Sequence, residues 1–207
     1  MILQMRKIPH NAIPRLSRYY RILVEQVHPW ISSRELSEHT GFTAAQIRRD
    51  LGYFGQFGQP GKGYNIAELK RSLQTILGLD QKWNVALIGV GNLGAALLGY
   101  KGFREQGFNI TAAFERDPSK IGKEINGVKI YPIRQFERVV RNNNIRMAIL
   151  TVPRTEAQSV ADLIARSGVK AVLNFAPVNL KLPDSVKVRN IDMTIEIERL
   201  SFLASRE

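Results

Sequence analysis

The sequence predicts an α/β protein in which a small helical domain precedes a doubly wound parallel sheet. Up to about residue 80, apolar residues recur at helical spacing, and the helices are interrupted by short turns and one glycine-rich stretch. After residue 80, short apolar strands alternate with helical segments, which is the pattern of a parallel sheet covered by helices. A Gly-x-Gly-x-x-Gly motif follows the first of these strands.

Composition limits the possible functions. The 207 residues include no cysteine, which excludes disulfides and thiolate metal sites, and we expect no metal. No apolar run approaches the roughly 18 residues of a membrane span, and residues 1–6 lack the features of a signal peptide. We therefore expect a cytoplasmic protein. The net charge of +12 favours a polyanion, either nucleic acid or an anionic membrane surface.

Charge alone does not locate that partner. Residues 1–80 carry 11 Lys and Arg against 6 Asp and Glu, and residues 81–207 carry 19 against 12. The excess is therefore spread over both parts of the chain.

The first part has the organisation of a winged helix-turn-helix domain. Helices are predicted over residues 14–27, from a cap at Ser32 or Ser33 to residue 38, over 43–51 and over 66–77. The second and third have the lengths and the short turn of a helix-turn-helix DNA reader. Residues 52–64 contain five glycines and are predicted to form the β-hairpin wing.

The third helix and the wing carry the candidate DNA-binding residues. Gln46 could pair with adenine, and Arg48 and Arg49 with guanine or phosphate. Lys62, at the predicted tip of the wing, is placed to enter an A/T-rich minor groove. The alternative is a charged helix face that only contacts solvent.

The second part predicts a Rossmann-type sheet. Strands are expected over residues 84–88, 109–114, 128–130, 147–152, 171–175 and 186–188, with helices over 93–104, 133–142, 155–167 and 194–205. The predicted domains are a winged helix over residues 1–80, a dinucleotide-binding Rossmann domain over 81–190 and a dimerisation helix over 191–207.

The glycine motif has the surroundings of a dinucleotide fingerprint. Gly89 would form the tight turn, Gly91 would admit a pyrophosphate, and Gly94 would allow close packing of helix and strand. The intervening Val90, Asn92 and Leu93 complete the candidate phosphate-binding loop, at a helix N-terminus. The alternative is that the glycines serve packing alone.

Glu115 ends the next strand, 21 positions after Gly94. It is expected to accept hydrogen bonds from ribose hydroxyls and to favour NAD(H) over NADP(H). NADP(H) is still a possible ligand, because an arginine at the position of Arg116 can accommodate a 2′-phosphate.

Two further strand ends are expected at the same edge of the sheet. The first consists of Thr151, Val152 and Pro153, and the second of Asn174, Phe175, Ala176 and Pro177. Together they would form a mostly apolar wall around a nicotinamide ring. The alternative is that their prolines only end the strands. All three histidines, His10, His28 and His39, precede this part, so it lacks the commonest acid–base residue. This absence argues against a dehydrogenase.

The last predicted helix has an apolar stripe consisting of Met193, Ile197, Leu200 and Ala204, with Leu203 beside it. Such a stripe favours a homodimer held by this helix. The alternative is that the helix packs on its own subunit.

The chain resembles the Rex family of redox-sensing repressors from end to end. The joint presence of the glycine-rich wing and the dinucleotide fingerprint is specific to that family. The matching segments are residues 13–21, 46–51, 54–64, 88–94, 100–103, 151–153, 157–158 and 174–177.

The resemblance implies a homodimer with a domain-swapped C-terminal helix that represses fermentative and respiratory genes until NADH releases it from operator DNA. NADH and NAD⁺ would be ligands, not reacting cofactors, and the operator an A/T-rich pseudo-palindrome. Asp192 would exchange partners between Arg21 and Tyr100 as the pocket fills, and Tyr100 would belong to that pocket. The alternatives are that Asp192 only caps a helix, that Tyr100 is a core aromatic and that Arg21 contacts phosphate. The family usually has Asp at the position of Glu115.

Two other functions fit the same architecture. One is a CoA-binding domain attached to a DNA-binding head, and the other is an NAD-dependent dehydrogenase. Both retain the Rossmann-type sheet, so the choice depends on the ligand.

Overall fold

The chain divides into two compact units, Met1–Gln81 and Lys82–Glu207. The computed structural model describes Pro9 and residues 11–206. The segment 1–6, in which no signal peptide was expected, and His10 lie outside the described residues.

The first unit is a winged helix. Ser32 caps the second helix in a reciprocal capping box with Glu35, and Thr43 caps the third. A three-stranded antiparallel sheet, in the order β1-β3-β2, forms the wing. The elements are α1 (Ala12–Glu25), β1 (Trp30–Ile31), α2 (Ser33–Thr40), α3 (Ala44–Gly52), β2 (Gly58–Gln59), β3 (Gly63–Asn65) and α4 (Ile66–Leu77).

The first unit differs from the expectation in two places. The first helix ends at Glu25, so Val27, the last residue of the predicted helix, lies outside it and is 91% exposed. Trp30 and Ile31 form an additional strand on the wing. Two residues are too short a run to show the alternating pattern of a strand, so the sequence did not predict it.

A buried carboxylate joins α1 to α3. Asp50 is fully buried and accepts two hydrogen bonds from the Arg15 guanidinium, at 2.6 and 2.7 Å. It accepts a third from the Tyr19 hydroxyl, at 2.8 Å, and a fourth from the Gln46 amide, also at 2.8 Å. Burial disfavours ionisation, but these hydrogen bonds outweigh it and hold the pKa of Asp50 below its usual value.

The second unit is built on a seven-stranded sheet in the order β10-β9-β8-β4-β5-β7-β6. Every pairing is parallel except that of β6 with β7. The strands are β4 (Trp83–Ile88), β5 (Phe108–Glu115), β6 (Glu124–Ile125), β7 (Val128–Pro132), β8 (Met147–Leu150), β9 (Ala171–Asn174) and β10 (Lys187–Asn190). Without β6, the order is that of a doubly wound dinucleotide-binding sheet, which confirms the predicted fold class.

Apolar clusters cover both faces of this sheet. One includes Ala86, Ile88 and Phe114, and the other includes Leu87 and Ala113. Adjacent residues of one strand point to opposite faces, so both faces must be covered. The helices are α5 (Asn92–Leu98), α6 (Lys101–Glu105), α7 (Phe136–Asn142), α8 (Arg154–Ser167) and α9 (Met193–Ala204).

Three predicted elements of this unit were wrong in their extent. The helix expected over residues 93–104 is divided at Gly99 and Tyr100 into α5 and α6. A 3₁₀ turn, Ile133–Gln135, precedes α7, and β8 ends at Leu150, so that Thr151 and Val152 belong to the following loop. Gly99 has no side chain with which to stabilise a helix interior, and this agrees with the break.

The C-terminal helix α9 has no buried residue. Its apolar side chains include Ile197 at 65% exposure and Leu203 at 63%. The alternative in which this helix buries its stripe on its own subunit is therefore not observed.

We expect the stability of the winged helix to fall in acid because of Asp50. A carboxylate whose pKa is lowered on folding stabilises the protein above its unfolded pKa, about 3.9. That stabilisation is lost as the pH falls through the folded pKa. The first unit contains Trp30 and the second Trp83, the two tryptophans of the chain. Urea unfolding of a Trp83→Phe variant, followed by fluorescence, therefore reports on the first unit.

Tyr19→Phe serves as the comparison in the same background. It removes a hydrogen bond to a charged group, which costs about 1.5–3 kcal/mol at neutral pH. It should also move the acid-induced loss of stability to higher pH. Identical pH profiles with and without the Tyr19 hydroxyl would contradict this assignment.

Candidate nucleotide and nucleic-acid sites

The glycine fingerprint lies at the carboxyl end of β4, where the strand order reverses between β8 and β5. Gly89 turns the chain with a φ of +93°, a conformation that favours glycine. A Cβ on Gly89 would lie 2.8 Å from the Thr151 carbonyl oxygen, which follows β8. The backbones after β4 and β8 therefore approach each other too closely for any side chain at this position.

Gly94 is the second point of close approach. A Cβ on Gly94 would run into the Gly89 carbonyl oxygen and would lie 3.1 Å from Thr151 Oγ1. The Thr151 hydroxyl in turn donates to the carbonyls of Ile88, at 3.1 Å, and Gly89, at 2.7 Å. These contacts fix the start of α5 against the ends of the two strands.

Gly91 differs from the other two glycines because a Cβ there would meet no atom within 4 Å. It is the N-cap of α5 and makes no side-chain cap. The N–H groups of Asn92 and Leu93, in the first turn, have no carbonyl partner within the helix. Both residues are exposed, so open space and free amides meet where the fingerprint predicts a pyrophosphate.

Glu115 lies beside this loop and contacts it. Its carboxylate accepts hydrogen bonds from the backbone N–H of Val90, at 2.8 Å, and from those of Arg116 and Asp117. Burial disfavours its charge, but these amides dominate and hold the pKa of Glu115 below its usual value. The Val90 amide is therefore already bonded to Glu115, while Glu115 stands ionised at the place expected for a ribose.

Arg116, which could accommodate the 2′-phosphate of NADP(H), is turned towards α8. Arg116 lies 3.4 Å from the Glu156 carboxylate and donates to the Ser159 hydroxyl at 3.2 Å. Lys120, which the sequence reasoning did not single out, donates to the Val90 carbonyl at 3.0 Å. The N–H of Val90 is held by Glu115, the last residue of β5, and its C=O by Lys120, which follows that strand, so the loop is positioned by residues outside the motif.

The loop after β9 is organised by Asn174. This side chain is fully buried; its amide donates to the carbonyls of Ala176 and Val178 and to Asn190, and its oxygen accepts from the Ala176 N–H. Its polar atoms are thus engaged within the protein. Phe175 is half-buried and Pro177 exposed, at the carboxyl edge that also holds Thr151, Val152 and Pro153.

Tyr100 and Asp192 make separate contacts in the second unit. Tyr100 is 60% exposed and packs edge-on against Phe103, with ring centroids 5.0 Å apart. It is therefore not a core aromatic. Asp192 caps α9 by accepting the Thr194 N–H at 2.9 Å, as the alternative reading of this residue expected. Arg21 is an exposed residue of α1 in the first unit.

The basic side chains of α3, the predicted DNA-reading helix, are exposed to solvent. Arg48 and Arg49 are exposed, and Arg48 donates to the Ser33 hydroxyl of α2 at 2.8 Å. Gln46 is half-buried because its amide bonds to Asp50. Lys62 closes the wing turn through its N–H to Gln59, and its ammonium lies 5.7 Å from the centre of the Trp30 ring.

Neither a spanning helix nor a metal-ion cluster was found in the described part of the chain. No helix there is long and apolar enough to cross a membrane. Among the same residues, no three His, Asp or Glu side chains are grouped so that they could hold a metal ion.

The environments of two glycines predict that Gly91→Ala and Gly94→Ala will have opposite consequences. Gly94→Ala drives a methyl group into backbone, so we expect a loss of about 3 kcal/mol or more in unfolding free energy. Gly91→Ala meets open space and should leave thermal stability nearly unchanged while weakening dinucleotide binding. Thermal melts and a fluorescence titration with NADH distinguish these effects. A Gly91→Ala protein that binds NADH as wild type does would contradict the placement of the pyrophosphate.

Both units match family models. A model described as "CoA binding domain" matches residues 80–178, and one described as "Putative DNA-binding protein N-terminus" matches residues 7–52. The first covers the sheet from β4 through the loop after β9. The second covers the helix-turn-helix but not the wing.

Curated relatives extend over nearly the whole chain. The redox-sensing transcriptional repressor Rex of Desulfitobacterium hafniense is 47% identical over 199 residues, which are 95% of this chain and 95% of the relative. That of Carboxydothermus hydrogenoformans is 47% identical over 204 residues, which are 97% of this chain and 98% of the relative. Because these relatives are repressors, the comparison supports the expectation that the chain is not an enzyme.

Solved structures agree with the curated relatives. RSP, a Rex-family repressor solved with β-NAD⁺ and operator DNA, is 40% identical and has a TM-score of 0.91, covering 96% of this chain and 93% of its own. In complex with β-NADH it is 39% identical, with a TM-score of 0.86 and coverages of 96% and 95%. On sequence and fold together, the chain belongs to the Rex family of redox-sensing transcriptional repressors.

Proposed function

We propose that this protein binds operator DNA as a homodimer and is released when NADH binds, so that it reports the NADH/NAD⁺ balance. The observation that carries the proposal is the presence, in one chain, of a winged helix with an exposed basic recognition helix and a glycine cradle at the reversal point of a Rossmann-type sheet. RSP, which resembles it over nearly its full length, was solved with NAD⁺, with NADH and with operator DNA. We place the protein in the cytoplasm, where its ligand and DNA meet.

The preference for NADH over NAD⁺ follows from charge. The oxidised nicotinamide ring is positive and the reduced ring is neutral. Phe175, Ala176 and Pro177 are proposed to face that ring, and burial of a charge beside apolar groups is costly without a partner. In a protein with a net charge of +12, the neutral ring should therefore bind more tightly.

We assign dimer formation to α9, over residues 191–207, as a helix exchanged between subunits. Six large apolar side chains in this helix are exposed, at 47–65%. A helix with this many exposed large apolar side chains is typical of an interaction site. A helix exchanged between subunits would bury it and hold two winged helices together.

The operator follows from that symmetry. A two-fold dimer presents two identical recognition helices, so its site should be a pseudo-palindrome. Gln46, Arg48 and Arg49 are the proposed major-groove contacts. Lys62 in the wing favours A/T-rich flanks, where the narrow minor groove has an enhanced negative potential.

Coupling between ligand and DNA is proposed to run through Asp192, Tyr100 and Arg21. Asp192 begins the dimerisation helix, and Tyr100 separates α5 from α6, directly after the dinucleotide cradle. A ligand shifts an equilibrium only by its differential affinity for the two states. Exchange of the Asp192 carboxylate between the two partners would supply such a difference.

CoA is a second candidate ligand, because the family model that matches residues 80–178 is described as a CoA binding domain. CoA and NAD(H) both contain an adenosine and a pyrophosphate, which the glycine cradle would contact. The two ligands differ at the nicotinamide end and at the adenosine ribose, which carries a 3′-phosphate in CoA. The ionised Glu115 would repel that phosphate, so it favours NAD(H) over CoA.

The first test is a mobility shift with a DNA duplex selected by the protein from a random palindromic library. Micromolar NADH should release the DNA, whereas NAD⁺ and CoA should require concentrations at least tenfold higher. Release by CoA at the lower concentration would favour the second candidate. If none of the three changes the bound fraction, ligand control is contradicted.

Leu200→Asp with Leu203→Asp tests the role of α9. Two carboxylates in a buried apolar interface are costly, so sedimentation should show monomers and DNA affinity should fall at least tenfold. Arg199→Glu makes the same change in net charge at a side chain that bonds to Glu196 of its own helix, and it should remain dimeric. A dimer of unchanged stability in the first variant would exclude α9 as the interface.

Asp192→Ala and Asp192→Asn together test the relay. Both remove the charge, but asparagine is also a good helix cap, so it retains a function worth about 1 kcal/mol to the helix. If the charge couples the sites, both variants should bind NADH and fail to release DNA. If the Asp192→Asn protein releases DNA at the same NADH concentration as wild type, Asp192 acts only as a helix cap and the relay is contradicted.

A further inference from the structure

The buried Asp50 determines how the Gln46 side chain is presented on the recognition helix. Gln46 Nε2 donates to Asp50 Oδ1 at 2.8 Å, one helical turn further along α3. The same carboxylate receives Arg15 and Tyr19 from α1. Its position is thus set by the core of the unit and not by the helix surface.

An ionised carboxylate only accepts hydrogen bonds, so the amide nitrogen of Gln46 must face it. The inverted amide would place an oxygen against Asp50 and lose the hydrogen bond. The Gln46 oxygen is then directed away, and no described residue donates to it. Because no buried side-chain oxygen or nitrogen in the described part lacks a partner, this oxygen is open to solvent.

Gln46 is the third residue of α3, in the turn from which a helix-turn-helix reader contacts base edges. The Gln46 side-chain oxygen, an acceptor, and the second N–H of its amide both face outward. In the major groove, adenine presents a matching donor, N6–H, and an acceptor, N7. Guanine presents two acceptors, N7 and O6, and would meet the Gln46 oxygen with repulsion.

We propose that Asp50 is a positioning residue for base recognition, which fixes the Gln46 amide in the orientation that selects adenine over guanine. The inference rests on the proposed function, because it requires that α3 reads DNA. It goes beyond that function by assigning specificity to a residue that is fully buried and cannot contact a base. The sequence offered one signal for it, a charged residue between the buried Ile47 and Leu51.

The test is selection of duplexes from a random palindromic library by the full-length protein without NADH. Wild type should enrich adenine at one position of each half-site. Gln46→Ala should lose that preference. Asp50→Asn, whose amide can donate to the Gln46 oxygen and so permit the inverted orientation, should admit guanine and lower the adenine-to-guanine ratio about tenfold, within the range of a bidentate base contact.

A double-mutant cycle separates positioning from general destabilisation. In the Gln46→Ala background, Asp50→Asn should cause no further change in base preference, since the residue it positions is absent. Tyr19→Phe weakens the same network without touching Gln46 and should retain the wild-type preference. If Asp50→Asn fails to fold, Arg15→Met with Asp50→Asn also removes the unpaired guanidinium, and the same shift is expected.

Three outcomes would overturn the inference. In the first, Asp50→Asn binds DNA with the wild-type adenine preference. In the second, Gln46→Ala keeps that preference, which refutes the role of Gln46 while leaving repression intact. In the third, wild type enriches no sequence at all, which contradicts the proposed function and the inference with it.

Discussion

The backbone that follows β4 lies very close to the backbone that follows β8, and the second unit, here called the sensing unit, depends on this constraint. Gly89 and Gly94 face each other and the Thr151 segment at distances that leave no room for a Cβ. That packing brings the start of α5 to the point where the strand order reverses. The amides of the first turn then lie beside the open space at Gly91, where we propose that the pyrophosphate binds.

The two units use fully or partly buried polar groups in different ways. In the sensing unit, Glu115 and Asn174 order loops by bonding to backbone N–H and C=O groups. In the winged helix, Asp50 joins two helices through side chains. A buried carboxylate with four hydrogen bonds fixes one geometry, because the loss of any partner leaves the charge incompletely satisfied. Rigid presentation of the recognition helix is a requirement for reading base edges.

The sequence predicted local features well. Helix α4 was expected over residues 66–77 and has those bounds, since Asn65 caps its start and Gly78, with a φ of +67°, ends it. The fingerprint was recognisable because its glycines and strand lie within a dozen residues. Features that depend on distant residues were missed. They include the contact of Lys120 with Val90 and the Asp50 network. The break at Gly99 was missed for a local reason, because the helical periodicity continues across it although the helix does not.

Control of DNA binding by NADH requires that the two binding events share free energy. Coupling of this kind is reciprocal. If NADH lowers the affinity for operator DNA by some factor, saturating operator DNA must lower the affinity for NADH by the same factor. The direct measurement is the Kd of NADH for the protein alone and for the protein saturated with its selected duplex, compared with the Kd of the duplex with and without NADH. Our account predicts the same factor, at least tenfold, in both comparisons. An NADH affinity that is unchanged on the DNA-bound protein would contradict it.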